Sequence, residues 1–272
     1  MEIEKWIVSA TRTLVTADIE TARLDSLVLA ESVLSKDRSW LLAHPTDMIS
    51  ENDVKKLNKY IAQRCTHYPL AYLTHNAYFY DVQLFVNDQV LVPRPESETI
   101  IDILRTLPRT DITTIIDIGT GSGALAISAK LLYPDSMVIA LDVDPKCLRV
   151  AKKNAISTKT DISFFRSDLL GSVPSNLIEK AVLLANLPYV PDNFSINKSA
   201  RLEPKNAIFG GANGLDLYSR LFEQITNLAS KPSYVITESF PDQHDGLQFI
   251  ANQAGYKYQA TDDFIQLFSL RR

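Results

Sequence analysis

The sequence predicts an α/β fold, a mostly parallel sheet covered by helices, behind a small all-helical unit. Three observations carry that expectation. Apolar residues recur at helical spacing over the first seventy residues, short apolar runs then alternate with helical stretches from about residue 113, and a glycine-rich turn joins the first of those runs to a helix. At 272 residues and 46% hydrophobic content, the chain can bury the cores of one large and one small domain.

Within residues 3–72, Ala22, Leu24, Leu27, Val28, Leu29, Val33 and Leu34, then Val54, Leu57, Tyr60 and Ile61, fall at helical spacing. Glycine is absent there, and Thr16-Ala17-Asp18, Ser35-Lys36-Asp37 and His44-Pro45-Thr46-Asp47 supply breaks and caps. A bundle of short antiparallel helices is expected. Residues 78–92 are rich in aromatic and β-branched side chains, with Asn87-Asp88 between two apolar stretches, which reads as a hairpin ended by Pro93 and Pro95. The aromatic run Tyr78, Phe79, Tyr80 is assigned to hairpin packing rather than to base stacking.

A helix is expected over 97–107, then strands at 113–119, 137–143, 162–167, 181–189 and 233–239. Helices fit between them from Ala124, near 146–155 and near 216–229, with right-handed crossovers. Strands at 255–260 and 264–270 close the chain, and without a helix between them one should run antiparallel.

Composition excludes several functions. With 28 Lys and Arg against 32 Asp and Glu, the net charge of −4 argues against direct nucleic-acid binding through a broad basic surface. Cys65 and Cys147 stand far apart without companions at metal spacing, and so read as ordinary thiols in a reducing compartment. His44, His67, His75 and His244 show no metal spacing either. The first residues lack a signal peptide's pattern and no stretch is apolar for long enough to span a bilayer, so a cytoplasmic protein without a membrane partner is expected.

Two motifs carry chemistry. Asp117-Ile118-Gly119-Thr120-Gly121-Ser122-Gly123 follows the first strand of the sheet and opens a helix, where small residues let the backbone approach a nucleotide-type ligand. Asp142, ending the next strand, can accept hydrogen bonds from vicinal ribose hydroxyls. This pattern alone fits a nicotinamide cofactor as well as S-adenosyl-L-methionine.

The second motif is Asn186-Leu187-Pro188-Tyr189, at the end of the strand expected at 181–189. A planar amide or amine nitrogen is a poor nucleophile because its lone pair is delocalised. The Asn186 side-chain oxygen and the Leu187 carbonyl can each accept one N–H of such a group, and both contacts strengthen as positive charge develops on nitrogen. Pro188 fixes the local backbone, and Tyr189 offers a ring face to a planar group. Direct methyl displacement needs no metal and no side-chain nucleophile. Arg94, Glu96 and Glu98 could line a substrate cleft or brace the fold by ion pairs, and Glu238 could reach the cleft or cap a solvated strand end.

Beyond these motifs, Pro69-Leu70-Ala71-Tyr72-Leu73-Thr74, the Phe79-Tyr80 pair and Val92-Pro93-Arg94-Pro95-Glu96-Ser97-Glu98 stand out, as do Glu203-Pro204 and Phe209-Gly210-Gly211-Ala212-Asn213-Gly214-Leu215-Asp216. Across essentially its whole length the chain resembles the HemK/PrmC family of peptide chain release factor N5-glutamine methyltransferases. The resemblance implies a class I S-adenosylmethionine-dependent methyltransferase domain, a Rossmann-like seven-stranded sheet, over 93–272. It implies an N-terminal helical substrate-recognition domain over 1–74 and a β-hairpin linker over 75–92.

It further implies that S-adenosyl-L-methionine is held by Asp117, Gly119, Thr120, Gly121, Ser122, Gly123, Asp142, Asp168, Leu169 and Asn186, with Asp117 near its methionine end, and is released as S-adenosyl-L-homocysteine. Asn186, Leu187, Pro188 and Tyr189 would hold the glutamine of the release factor's Gly-Gly-Gln loop, with Asn186, Pro188 and Tyr189 as the catalytic set. A monomeric enzyme is expected. One position departs from the family's commonest Asn-Pro-Pro-Tyr: Leu187 stands for the first Pro and restores an N–H. Asn-Leu-Pro-Tyr also resembles the motif of rRNA adenine dimethyltransferases, so N6-adenine methylation of DNA or RNA is the alternative.

Overall fold

The computed structural model describes residues 1–108 and 112–271. Contacts divide the chain into two units, one of residues 1–76 with 196–202, the other of residues 77–195 with 203–271.

The first unit is helical: α1 (Ile3–Thr16), α2 (Ala22–Leu34), α3 (Arg38–Ala43), α4 (Glu51–Arg64) and α5 (Leu70–Thr74). The breaks read from the sequence are the helix ends. Ser35 ends α2 in the left-handed region, the Asp37 carboxylate accepts the Trp40 N–H at 2.7 Å, and Ser50 caps α4 by accepting the Asp53 N–H. Trp6, Leu14, Leu29, Leu41 and Leu57 are fully buried at the centre of this unit. Trp6 donates its indole N–H to Asn58 at 3.0 Å, and Arg64 pairs with buried Asp25 at 2.6 Å.

A hairpin follows, β1 (Asn76–Phe79) and β2 (Val82–Phe85), which from Ala77 onward belongs to the second unit. The sequence placed its turn at Asn87-Asp88; instead the chain reverses at Tyr80-Asp81, both with positive φ (48° and 63°), as a two-residue hairpin turn of the primed kind requires. The cue missed is that the aromatic run itself contains the turn. Phe79 and Leu84 join the core of the larger unit, and the Asn154 side chain exchanges hydrogen bonds with the Phe85 N–H (2.8 Å) and carbonyl (2.9 Å).

After α6 (Glu98–Thr106) the chain alternates as expected but for the short α9, where the sequence reading placed no helix: β3 (Thr114–Ile118), α7 (Ala124–Leu132), β4 (Met137–Asp142), α8 (Pro145–Ser157), β5 (Ser163–Arg166), α9 (Ser175–Ile178), β6 (Val182–Ala185), α10 (Asp216–Thr226) and β7 (Tyr234–Glu238). A helix that the sequence reading did not assign, α11 (His244–Gln253), precedes β8 (Tyr256–Asp262) and β9 (Ile265–Leu270). Gly246 in its first turn weakens the helical signal there.

The seven strands lie in the order β5-β4-β3-β6-β7-β9-β8, parallel except that β9 runs antiparallel to β7 and β8. The central strands are buried on both faces, so they read as continuous apolar runs. Successive residues nevertheless serve opposite layers. Ile115, Val182 and Ile236 pack with α6 and α7, whereas Ile116, Leu183 and Val235 pack with α10 and α11. The chain moves outward from β3 through β4 to β5, then returns to β6 on the other side of β3. That reversal opens a crevice at the carboxyl ends of β3 and β6.

Candidate active site

Strand register brings the sequence motifs to one edge. Ile118 pairs with Leu141 of β4 and with Ala185 of β6, and Ala185 pairs with Thr237 of β7. The next residue on each strand is therefore Asp142, Gly119, Asn186 and Glu238, a row across four neighbouring strands. With strands about 4.8 Å apart, Asp142 and Asn186 stand two spacings, roughly 10 Å, from one another along the edge, on either side of the glycine turn.

A cleft open to solvent at its mouth follows this edge. Gly119, Gly121, Asp142, Asp168, Leu169, Asn186, Leu187 and Pro188 all line it. Gln89, Leu91, Val143, Cys147, Pro204, Asn206, Ala207 and Leu217 also line it, and the sequence reading singled out only Cys147 and Pro204 of these, neither as a cofactor contact. Loop residues contributed from distant parts of the chain carry no local signature.

The glycine turn is built by inward hydrogen bonds. Asp117, 1% exposed, accepts the Thr120 hydroxyl at 2.6 Å and the Ala126 N–H at 3.1 Å through Oδ2, while its Oδ1 has no partner among the described residues. Burial pushes its carboxyl up to about 7, against the pull of those two donors. Thr120 and Ser122 are likewise buried, and the Ser122 carbonyl accepts from Asn154 at 2.8 Å. Gly123, at φ 88°, lies so near α8 that an added Cβ would sit 3.1 Å from the Ala151 methyl. Asp117, Thr120, Ser122 and Gly123 thus support the turn from beneath, and Gly119 and Gly121 face the cleft.

Asp142 accepts the Gly121 N–H (3.0 Å) and the Asp144 N–H (2.9 Å), one on each oxygen, which leaves lone pairs toward the cleft. Burial raises its pKa and the two N–H donors oppose that rise. Cys147 beside it is pushed up to about 12 by burial and remains a thiol. Asp168 is exposed and pairs with Arg220 at 2.6 Å, while Gln224 of α10 accepts the Leu170 N–H at 2.9 Å. Leu169, held between them at φ 53°, turns its side chain into the buried wall.

At the other end, the Asn186 Nδ2 donates to the Ser97 hydroxyl at 2.7 Å. The Leu187 N–H, which a proline would lack, donates to the buried Tyr218 hydroxyl at 3.3 Å, and that hydroxyl faces the Ala185 and Glu238 carbonyls. Tyr189 donates its hydroxyl to Glu238 at 2.8 Å and meets Phe240 edge-on with ring centroids 5.1 Å apart. Burial first, then the Glu238 charge, raises the Tyr189 and Tyr218 pKa values, so both stay phenols. Glu238 itself is 1% exposed, which rules out a solvated strand end.

The flanking motifs support this end of the cleft. Glu203 takes Arg94 at 2.7 Å and the Val92 N–H at 3.0 Å, and Glu98 takes the Tyr80 N–H at 2.9 Å, so Arg94 and Glu98 brace the fold. Gly210 and Gly214 lie directly against the chain of Pro188 and Tyr189. An added Cβ would fall 2.2 Å from the Pro188 carbonyl oxygen and 1.9 Å from that of Tyr189. Gln243 holds the same Tyr189 carbonyl at 2.8 Å.

Comparison with known proteins separates the candidates. A release factor glutamine methyltransferase of Enterococcus faecalis is 34% identical over 80% of this chain and 79% of its own length. One of Moorella thermoacetica is 30% identical over 94% of this chain and 91% of its own. The chain belongs to the release factor glutamine methyltransferase family. The family model described as the PrmC N-terminal domain matches residues 5–74, and that of the ribosomal protein L11 methyltransferase matches residues 98–187, the stretch from α6 to Leu187 that includes the glycine turn. Among solved structures, the catalytic domain of hMettl16 in complex with an RNA hairpin superposes with a TM-score of 0.54 over 81% of this chain and 82% of its own at 13% identity, a likeness of fold. The class I methyltransferase fold expected from the sequence is therefore the observed one. The Leu187 N–H is not an orphaned donor, because Tyr218 receives it.

Proposed function

We propose that this chain transfers the methyl group of S-adenosyl-L-methionine to the side-chain amide nitrogen (N5) of the glutamine in the Gly-Gly-Gln loop of a peptide chain release factor. The observation that carries this reading is the placement of Asn186 and Leu187 on the same cleft as the glycine turn and Asp142, in a chain of this family.

The residues present suit the cofactor. Gly121, at φ 54°, has only the Gly119 carbonyl within 4.0 Å of where a Cβ would stand, so the backbone is open to close approach. Asp142 has acceptor capacity for ribose hydroxyls, Leu169 and Val143 offer an apolar wall for a base, and Asp117, Gly119, Thr120, Gly121, Ser122, Gly123, Asp168 and Asn186 complete the set we assign to cofactor holding. When bound, the cofactor supplies an electrophilic methyl group and leaves as S-adenosyl-L-homocysteine.

The chain's own residues orient the nucleophile. The Asn186 Oδ1 and the Leu187 carbonyl accept the two N–H groups of the glutamine amide, which holds the amide plane so that the nitrogen lone pair, perpendicular to it, faces the incoming methyl group. Both contacts grow stronger as the nitrogen becomes cationic, and so they stabilise the transition state more than the bound substrate. Pro188 limits the backbone freedom of this loop, and the Tyr189 ring packs against the amide plane. Burial beside these groups excludes water that would compete for the same acceptors.

We assign residues 1–74 to recognition of the release factor, 75–92 to the linker and 93–272 to catalysis, in a monomeric cytoplasmic enzyme without direct nucleic-acid contact. Among the described residues no helix is long and apolar enough to cross a membrane. Family membership favours glutamine over the adenine alternative. The test is incubation of the protein with labelled cofactor and a purified release factor, followed by mass spectrometry of the modified residue. Label on the Gly-Gly-Gln glutamine that vanishes in a Gly-Gly-Ala factor is the expected result. No label on the wild-type factor, or equal label on both, overturns the proposal.

A further inference from the structure

The Leu187 carbonyl can accept a substrate N–H only if the backbone that carries it keeps one direction. Pro188 supplies part of that constraint, because it locks its own φ and confines Leu187, the residue before it, to extended conformations. The rest comes from anchors on either side of the pair. On the near side the Leu187 N–H goes to the Tyr218 hydroxyl at 3.3 Å. On the far side the Tyr189–Val190 peptide is gripped from both edges: its N–H donates to the Ile208 carbonyl at 3.0 Å, and its carbonyl accepts from Gln243 at 2.8 Å. With only one of those two bonds the peptide plane could tilt about the other.

Gln243, between β7 and α11, is 9% exposed and commits its whole amide to backbone groups. Its Nε2 donates to the Tyr189 and Asn213 carbonyls, each at 2.8 Å, and its Oε1 accepts the Phe240 N–H at 2.8 Å. A carbonyl only accepts and a backbone N–H only donates, so these partners permit one orientation of the amide. Turned over, it would set its oxygen against two carbonyl oxygens. Three separate segments are joined in this way: the loop after β6, the loop before α10 and the turn after β7. Gly214 lets them meet, since a Cβ there would collide with both the Gln243 Nε2 and the Tyr189 carbonyl oxygen. The same amide links the backbones of Tyr189 and Phe240, whose rings meet edge-on with centroids 5.1 Å apart, while Glu238 holds the Tyr189 hydroxyl at 2.8 Å.

We propose that Gln243 is a positioning residue for methyl transfer: by clasping the Tyr189 carbonyl it fixes the direction of the Leu187 carbonyl and the place of the Tyr189 ring. It acts through these groups and touches neither substrate nor cofactor. The two protons it donates are what the clasp requires. The inference rests on the glutamine methylation reading and deepens it.

Two variants of nearly unchanged size test it. Gln243→Glu keeps an acceptor for Phe240 but, ionised, has no proton for either carbonyl, and Gln243→Met has neither donor nor acceptor of comparable strength. With labelled cofactor and a release factor, both should lose kcat on the order of 10²-fold, the scale of a misplacement of about 1 Å in an aligned reaction. Cofactor Kd by calorimetry and the KM for release factor should stay at wild-type values. Hydrogen exchange of the Val190 amide should quicken while the β3 amides keep their protection. A purely structural role would instead loosen the whole unit and weaken cofactor binding in step with activity.

Wild-type kcat in either variant overturns the inference, as does a loss of kcat matched by lost cofactor affinity. If one variant does not fold, the other decides; failure of both to fold makes Gln243 a residue of the fold and overturns the inference as well. An inactive wild type toward release factor refutes the methylation reading, whereas an active wild type with an equally active Gln243→Glu refutes only the positioning role.

Discussion

The Leu187 N–H gives the sharpest stability prediction, because its energetics can be isolated by a double-mutant cycle. Tyr218 is fully buried, its hydroxyl accepts from Leu187 at 3.3 Å, and its single proton serves the Ala185 and Glu238 carbonyls. Tyr218→Phe removes all three contacts and strands a buried N–H, at a cost of about 2–3 kcal/mol. In a Leu187→Pro background the N–H no longer exists, so the same change should cost less. At 3.3 Å the bond is long, which places the difference near the low end for a stranded donor, about 1 kcal/mol.

The loss of the buried Leu187 side chain itself, 3% exposed and reaching toward Gly119, appears in both arms of the cycle and cancels. Both tryptophans, Trp6 and Trp40, belong to the helical unit, so tryptophan fluorescence follows that unit rather than this one. Hydrogen exchange of the β3 and β6 amides under native conditions reads the larger unit directly. Effects that add to within about 0.3 kcal/mol would refute the claim that Tyr218 satisfies the Leu187 N–H.

Other expectations concern separate parts of the molecule. Asp117 has a native pKa of about 7 against 3.8 when unfolded, so the fold holds its proton more tightly. Its stabilising effect is complete below pH 3.8 and is lost as pH rises to 7, a span of up to about 4 kcal/mol. Asp117→Asn keeps an acceptor for Thr120 and Ala126, and urea titrations at pH 4 to 7 should show a flatter decline than wild type. Gly214→Ala, at φ 78°, forces a methyl onto the Tyr189 carbonyl and should cost at least ~3 kcal/mol with loss of methyl transfer, measured by exchange and by labelling. Unchanged activity there would contradict the packing described. Arg64→Met leaves the buried Asp25 carboxylate unpaired and should destabilise the helical unit by roughly 3 kcal/mol, followed by tryptophan fluorescence.

How much was legible in the sequence depended on whether the signal was local. Helix periodicity, the β and α alternation, the glycine turn and Asn186 to Tyr189 are each written in consecutive residues, and the structure builds a strand, turn or helix where they predict one. Family signatures told apart chemistries that the glycine turn alone left open. The hairpin turn at Tyr80-Asp81 was hidden because bulky residues adopt a backbone that glycine or asparagine usually signals, and α11 because a glycine interrupts a short helix.

What only the tertiary structure decided is the company each motif keeps. Sequence spacing gives no reason to join Ser97 to Asn186, 89 residues apart, or Leu187 to Tyr218, or to turn Glu238 from a candidate solvated end into a buried carboxylate. Those relations follow from strand register and crossover handedness, which set neighbours across the sheet rather than along the chain. The sequence by itself determined the fold class, the two chemical motifs and the family. The orientation of each group in the site came from long-range packing, because a hydrogen bond's direction depends on partners that no local pattern names.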